Sequence, residues 1–415
     1  MKKIFYLFFI SICLYSNNIF SQWIQQSSGT TERLNDCYFV NSNTGWIVSQ
    51  LGNVRKTIDG GNTWSAPQNL DNTNLYGIYF FNENLGWIAG RESIWKTING
   101  GNNWVISYPI AGAGGWLYSF SFVDQNTGWV CGDVALLKTT NGGNNWIDQW
   151  QNQTTILSHD INSIKFINSN TGWTAGCCEI LKTTNGGNNW INVNLVPFST
   201  LHSIFFVNAN QGWTVGINGK ILTTTNSGNN WTIQNVNTNL TLRSTYFSDI
   251  NTGWISGGNY GDSSCVILKT TNGGNTWGHQ TTNVRAPLYS IRFVNNNTGW
   301  AVGDYGTILK TTNGGGSVGI QNIGTTIPDK FSLSQNYPNP FNPTTNIEFS
   351  IQEKSFVKLK VFDISGKEIQ ELINENFNPG TYKYDFNAES LPSGTYFYRL
   401  ETEKFSETKK MVVLK

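Results

Sequence analysis

The chain has 415 residues, enough for more than one domain with a sizeable core. Its 27 Lys and Arg nearly cancel 26 Asp and Glu, leaving a formal charge of +1. That balance excludes the basic footprint of a nucleic-acid binder and a surface drawn to anionic lipid. Glycine, asparagine, threonine and tryptophan are abundant instead, so turns and strands are expected in place of helices.

Residues 1–21 read as a signal peptide. Lys2 and Lys3 precede the apolar run from Ile4 to Tyr15, and Ser21 is a small residue suited to cleavage, which leaves Gln22 first. The run falls short of the ~20 residues of a spanning helix. No later segment is apolar enough to cross a bilayer, so no transmembrane segment is expected in the mature chain. Five cysteines remain: Cys37, Cys131, Cys177, Cys178 and Cys265. The adjacent pair could form a strained vicinal disulfide, but two buried thiols are the favoured expectation. His159, His202 and His279 lack metal-ligand spacing, so neither a metal nor a cofactor is expected.

From Trp23 the chain repeats itself. LKTTNGGNNW occurs at Leu137–Trp146 and again at Leu181–Trp190, with near copies from Arg55, Trp95, Leu222 and Leu268. A seventh, from Leu309, ends as LKTTNGGGSV. A Gly-Trp pair precedes each copy, ending at Trp46, Trp87, Trp129, Trp173, Trp213, Trp254 and Trp300. The period of roughly 40–46 residues indicates a propeller or solenoid. Each unit reads as four strands: an aromatic-rich run such as LYSIRFV, the Gly-Trp strand, a TILKTT strand, a tight Asn-Gly hairpin, and an outer strand opening on the second tryptophan. The Thr and Asn side chains would bond backbone groups across that turn, with the tryptophan packed against it. The last copy lacks its tryptophan and outer strand. Trp23-Ile24-Gln25-Gln26 resembles Trp231-Thr232-Ile233-Gln234 and supplies the missing strand, pairing two edges otherwise left open. The expected fold is all-β: a seven-bladed β-propeller over residues 22–316, its N-terminal strand closing the last blade.

Composition changes after Gly316. The stretch SVGIQNIGTTIPDK reads as a linker, placed at residues 317–328. Residues 329–415 alternate apolar and polar residues between turns at Ser365-Gly366, Pro379-Gly380 and Ser393-Gly394, the pattern of a small β-sandwich.

Within the propeller the turns NSNTG and TNGGN barely change between repeats, whereas the loops at the opposite ends of the strands vary. Binding residues on a scaffold usually occupy variable loops. The candidates are Arg91, Trp116, Asp133, His202, Arg243, Tyr260, Asp304 and Tyr305, with Glu92, Glu179, Asp262, Tyr108, Trp150, His159 and Phe198 on the same face. Asn35, Tyr76, Tyr118, Asn162, His202, Arg243 and Tyr289 occupy one repeat position and would ring the mouth of the central channel. No catalytic residue is assigned, since nucleophile-elbow and phosphate-loop motifs are absent. The expected function is non-catalytic binding of a protein or glycan at the cell surface or outside the cell. The alternative is a glycoside hydrolase using two carboxylates among Glu92, Asp133, Glu179, Asp262 and Asp304, about 5–9.5 Å apart.

The T-x-[DN]-x-G-x-[NT]-W repeat resembles the Asp-box of neuraminidase-type propellers, with Asn in place of Asp everywhere but Asp59. The fuller unit, GWAVGDYGTILKTTNGG from Gly299, is similar to photosystem II stability and assembly factor propellers over Trp23 to Gly315. That resemblance implies a seven-bladed propeller that binds a protein partner; the photosynthetic role is not carried over. YPNPFNPTTNIEFSI, VFDISGKEI, LPSGTYFYRLET and KKMVVLK resemble the type A C-terminal sorting domain of the type IX secretion system over about Ile327 to Lys415. This resemblance implies export by that machinery across an outer membrane, then release or attachment to surface lipopolysaccharide.

Overall fold

A computed structural model describes residues 23–414, apart from 92, 110–114, 134, 151–159, 235, 237, 261–263, 281, 317–319, 325–326 and 389–390. The expected signal peptide lies outside the described residues. Two compact units are present, one spanning Gln22–Gly319 and the other containing Ile320–Lys415.

The first unit is a succession of antiparallel sheets laid down in chain order. The second repeat is representative, with strands Leu75–Phe80, Gly86–Gly90, Ser93–Thr97 and Val105–Pro109. Phe80 lies opposite Gly86, and Tyr79 opposite Trp87. The glycine is required there, because a Cβ on Gly86 would sit 2.6 Å from the Phe80 ring. Freed to lie flat, Phe80 stacks on Trp46 of the preceding repeat with centroids 3.5 Å apart. The outer-strand Trp104 then meets the Phe80 edge at 5.9 Å. Each tryptophan therefore clasps a phenylalanine as well as a turn, a contact worth ~0.5–1.5 kcal/mol beyond area burial. The Trp46 indole donates to the Gly100 carbonyl of the next repeat, tying neighbours together.

The glycine turn is longer than the two-residue hairpin expected from Asn-Gly chemistry. Strands Ser93–Thr97 and Val105–Pro109 are joined through Ile98 to Trp104. The Thr97 hydroxyl accepts from the Gly101 N–H at 2.9 Å, and the Asn99 carboxamide oxygen accepts from the Asn103 N–H at 3.0 Å. These side-chain bonds satisfy backbone groups over the longer loop, and Gly100 supplies the left-handed backbone at φ +70°. Asp59 plays the Asn99 part in the first repeat.

At the chain's start, Ile24–Gln26 pairs antiparallel with Ile308–Thr311, with Ile24 opposite Lys310 and Gln26 opposite Ile308. Thr232–Gln234 meets Ile221–Thr224 in the equivalent register. Trp23, 1% exposed, touches the Phe293 edge at 5.7 Å as Trp104 touches Phe80. Trp300 of the last repeat stacks on Phe39 of the first at 3.6 Å, and its indole donates to the Gly60 carbonyl.

One stretch departs from the expected pattern. Cys177-Cys178-Glu179 lies inside a long strand, Gly172–Thr183, and Ile191–Phe206 continues into the next repeat, giving a six-stranded sheet. The extra residues are absorbed by a register shift at Cys177/Glu179 and a left-handed Cys178 at φ +69°. The two thiols are free and half-buried, with sulfurs 3.2 Å apart, rather than fully buried as expected. Cys37 and Cys131 are fully buried, and burial beside Asp36 pushes the Cys37 thiol up to about 12. A thiol-alkylating reagent should label Cys177 and Cys178 in the folded protein before Cys37 or Cys131. Peptide mass mapping checks this, and equal labelling of Cys37 would contradict it.

The second unit holds two four-stranded antiparallel sheets. One contains Ile320–Gly324, Gly380–Asn387, Thr344–Ile351 and Ser332–Leu333; the other contains Glu368–Phe377, Ser355–Phe362, Gly394–Glu401 and Ser406–Val413. Alternating residues fill the core, including Phe349, Leu359, Tyr398 and Met411. Ile320–Gly324 falls within the expected linker, yet it is a strand paired with Thr381–Tyr384. The proline-rich stretch is anchored to the last strand. Asn339 accepts from the Val412 N–H at 2.9 Å, Phe341 N–H donates to the Val412 carbonyl, and Leu414 N–H returns to Phe341. Buried Asn336 donates from its backbone to the Tyr398 hydroxyl and from its carboxamide to Thr345.

Candidate functional site

The inner strands present two rings of side chains, separated by a layer of small residues that joins one repeat to the next. Ser163 Oγ accepts from the Ile204 N–H, Ser203 Oγ from Thr245 and Ser244 Oγ from Ile291. In the first repeat Asp36 replaces serine and accepts from Ile78 and from the Ser290 hydroxyl. Burial raises the Asp36 carboxyl, opposed by the Arg292 charge.

On the variable-loop side, the structure gathers the sequence candidates into two groups. The first lies where the second and third repeats meet. Arg91 forms a lone backbone bridge with Trp116. The Trp116 ring, 41% exposed, lies 6.0 Å from Tyr76, which meets the edge of Tyr118 at 5.3 Å. The Tyr118 hydroxyl donates to Asp133 at 2.8 Å. Burial raises the Asp133 carboxyl, and this hydrogen bond works against the rise.

The second group gathers Arg243, Tyr260 and Asp304. Arg243 lies over the Tyr289 and Tyr260 rings at 4.9 and 5.5 Å. Arg33 lies over the same rings at 5.1 and 4.7 Å and pairs with Asp304 at 3.0 Å. The Tyr289 hydroxyl also donates to Asp304. His202 is held low, at about 4, by burial and the neighbouring Arg243 charge, and is therefore neutral at pH 7. Tyr305 follows Asp304 on a short 3-10 turn at φ +57° and projects 66% exposed.

Arg33 was missed by sequence reasoning. It occupies the position just before the inner strand that Trp116 occupies in the third repeat, so the loop alignment that singled out Trp116 also pointed to it. Glu92, His159 and Asp262 lie outside the described residues, as does the Phe198 side chain. The described carboxylates expected to serve a hydrolase are tied to local donors: Asp133 to Tyr118, Asp304 to Arg33 and Tyr289, and buried Glu179 to the Asn192 carboxamide at 2.7 Å. Among the described residues, no group of three or more His, Cys, Asp or Glu could hold a metal ion. No helix there is long and apolar enough to cross a membrane.

These features define an all-β propeller with an aromatic and arginine-rich loop face, followed by a sandwich whose proline-rich signature is clasped by its last strand. A model of the photosynthesis system II assembly factor YCF48 matches residues 15–108, 112–198 and 195–287, more than half of the chain. The chain belongs to that family. Residues 335–414 match the secretion system C-terminal sorting domain, which supports export and a secreted or cell-surface location. No curated protein matches. Among solved structures, "YCF48 bound to D1 peptide" is similar at TM-score 0.58 and 21% identity, covering 71% of this chain and 96% of that one. YCF48 from Cyanidioschyzon merolae is similar at TM-score 0.58 and 21% identity, over 70% and 98% of the two chains. An ancestral GH74 enzyme is similar at TM-score 0.55 and 12% identity, over 94% of this chain and 63% of that one. Identities this low show the shared fold alone.

Proposed function

We propose that the chain is an exported, non-catalytic adaptor: a closed seven-bladed ring that binds a protein through its variable-loop face and is delivered by its C-terminal domain through type IX secretion. The observation that carries this reading is the composition of that face. Trp116 projects into solvent beside Tyr76 in one group, and Tyr305 projects next to Asp304 in the other, where Arg33, Arg243 and Tyr260 are held by ring contacts and by the pair with Asp304. Aromatic and arginine side chains dominate binding energy at protein interfaces. Rings already fixed by neighbours lose little conformational entropy on docking. A solved structural neighbour is described as bound to a peptide, which supports a protein partner over a glycan.

The test compares the wild type with a Trp116→Ala, Tyr305→Ala double variant in cross-linking and pull-down from the native host, alongside a glycan array. Each side chain is exposed, so the double variant should keep the wild-type melting temperature. Capture of a defined protein by the wild type, weakened at least about tenfold in the variant, is expected. Equal capture by both proteins, or binding to glycans alone, would contradict the reading.

A further inference from the structure

The second ring of inner-strand side chains lies beyond the serine layer, away from the variable loops. One residue per repeat contributes: Tyr38, Tyr79, Ser121, Lys165, Phe205, Tyr246 and Arg292. They line a cavity of about 410 Å³ together with Phe120 and the serines of the layer. Its charge is one-sided. Lys165 and Arg292 both face it, and among the described residues neither has a carboxylate within ion-pairing distance. The nearby carboxyl of Asp36 is already engaged by Ser290, Ile78 and Cys37. Arg292 Nε is buried without a hydrogen-bond partner. The Arg292 guanidinium lies 5.9 Å from the Tyr38 ring and the Lys165 ammonium 4.9 Å from the Phe205 ring. Burial, with the Arg292 charge adding to it, pulls Lys165 down to about 8, while the Asp36 charge acts on Arg292 from outside the cavity lining.

Ring contacts offset only part of the cost of holding two cations together away from water. A guanidinium and an ammonium facing one cavity offer a fork and a point charge, a donor set suited to a carboxylate. Ser163, Ser203 and Ser244 accept backbone N–H bonds through oxygen, which leaves their hydroxyl protons available as further donors. The remaining wall is aromatic: Tyr38, Tyr79, Phe120, Phe205 and Tyr246. We infer that the channel cavity binds a small aromatic carboxylate, its carboxyl group held by Lys165 and Arg292 and its ring against the tyrosine and phenylalanine side chains. This site is separate from the loop face proposed to bind a protein, and either can fail without the other.

The probes are benzoate, acetate and sulfate, titrated into the full-length chain at ionic strength matched with chloride, with thermal unfolding and calorimetry as readouts. Benzoate should raise the melting temperature in a saturable way and bind at least about tenfold more tightly than acetate, which lacks the ring. Lys165→Met should weaken benzoate at least about tenfold while leaving a folded protein, since it removes one of two like charges. Arg292→Leu should do the same. If Arg292→Leu fails to fold, Lys165→Met alone decides. An unaltered benzoate response in Lys165→Met, sulfate acting as strongly as benzoate, or no response by the wild type would each overturn the assignment.

Discussion

Replacing Trp23 with alanine is expected to destabilise the propeller by about 3–5 kcal/mol, the range for deleting a buried aromatic side chain. Trp23 is buried against Phe293, which itself stacks on Trp254 at 3.7 Å, so the substitution empties a cavity inside the last sheet. A chain beginning at Leu34 should be affected more severely. It also loses the ladder between Ile24–Gln26 and Ile308–Thr311, leaving the edge of the latter strand unpaired. It further loses Arg33 and its pair with Asp304. Denaturant unfolding of the purified propeller measures the cost. A truncated chain with the wild-type midpoint and slope would show that the first strand contributes nothing to the stability of the last sheet.

Removing the C-terminal unit is expected to have the largest effect on where the protein is found. In a host with type IX secretion, a chain ending before Ile320 should accumulate in the periplasm, while the intact chain reaches the surface or medium. The cut belongs before Ile320 because the strand Ile320–Gly324 pairs within the sandwich; a cut at Ile327 would leave that strand without its partner. A finer variant separates sorting from folding. Asn339→Ala removes the oxygen that accepts from Val412 N–H and the carboxamide that donates to the Lys410 carbonyl. It leaves the buried core of Phe349, Leu359 and Tyr398 in place. Cell fractionation with immunoblotting reads both variants. Surface delivery of the chain ending before Ile320 at the intact level would contradict a sorting role for this unit.

Much of the fold was legible because its determinants are local. The Thr-Asn-Gly-Gly turn joins groups at most a few residues apart, such as Thr97 with Gly101, so the decapeptide alone defines it. Each Phe meets the Gly-Trp pair across one short hairpin, as Phe80 meets Gly86. Even the strand from the chain's start could be read, since the seventh copy lacks a tryptophan and Trp23 has no repeat of its own. The length of the glycine turn was misread, because side-chain bonds from Thr97 and Asn99 sustain a longer loop than Asn-Gly preference indicates. The continuous strand through Cys178 was misread as well, since a left-handed non-glycine residue inside a strand leaves no mark in composition.

The candidate site divides along the same line. The sequence by itself determined the repeat, where its turns fall, the strand order within a repeat and the sorting signature, each resting on contacts between neighbours in the chain or on an uninterrupted motif. Only the tertiary structure decided that Arg33 pairs with Asp304, 271 residues away, and that Arg33 and Arg243 share Tyr260 and Tyr289. It alone placed Lys165 and Arg292 in one cavity. The reason is physical: packing within a repeat constrains the apolar and glycine positions, whereas residues lining the channel meet only once strands from distant repeats come together, and no local rule ties the residue chosen in one repeat to that chosen in another.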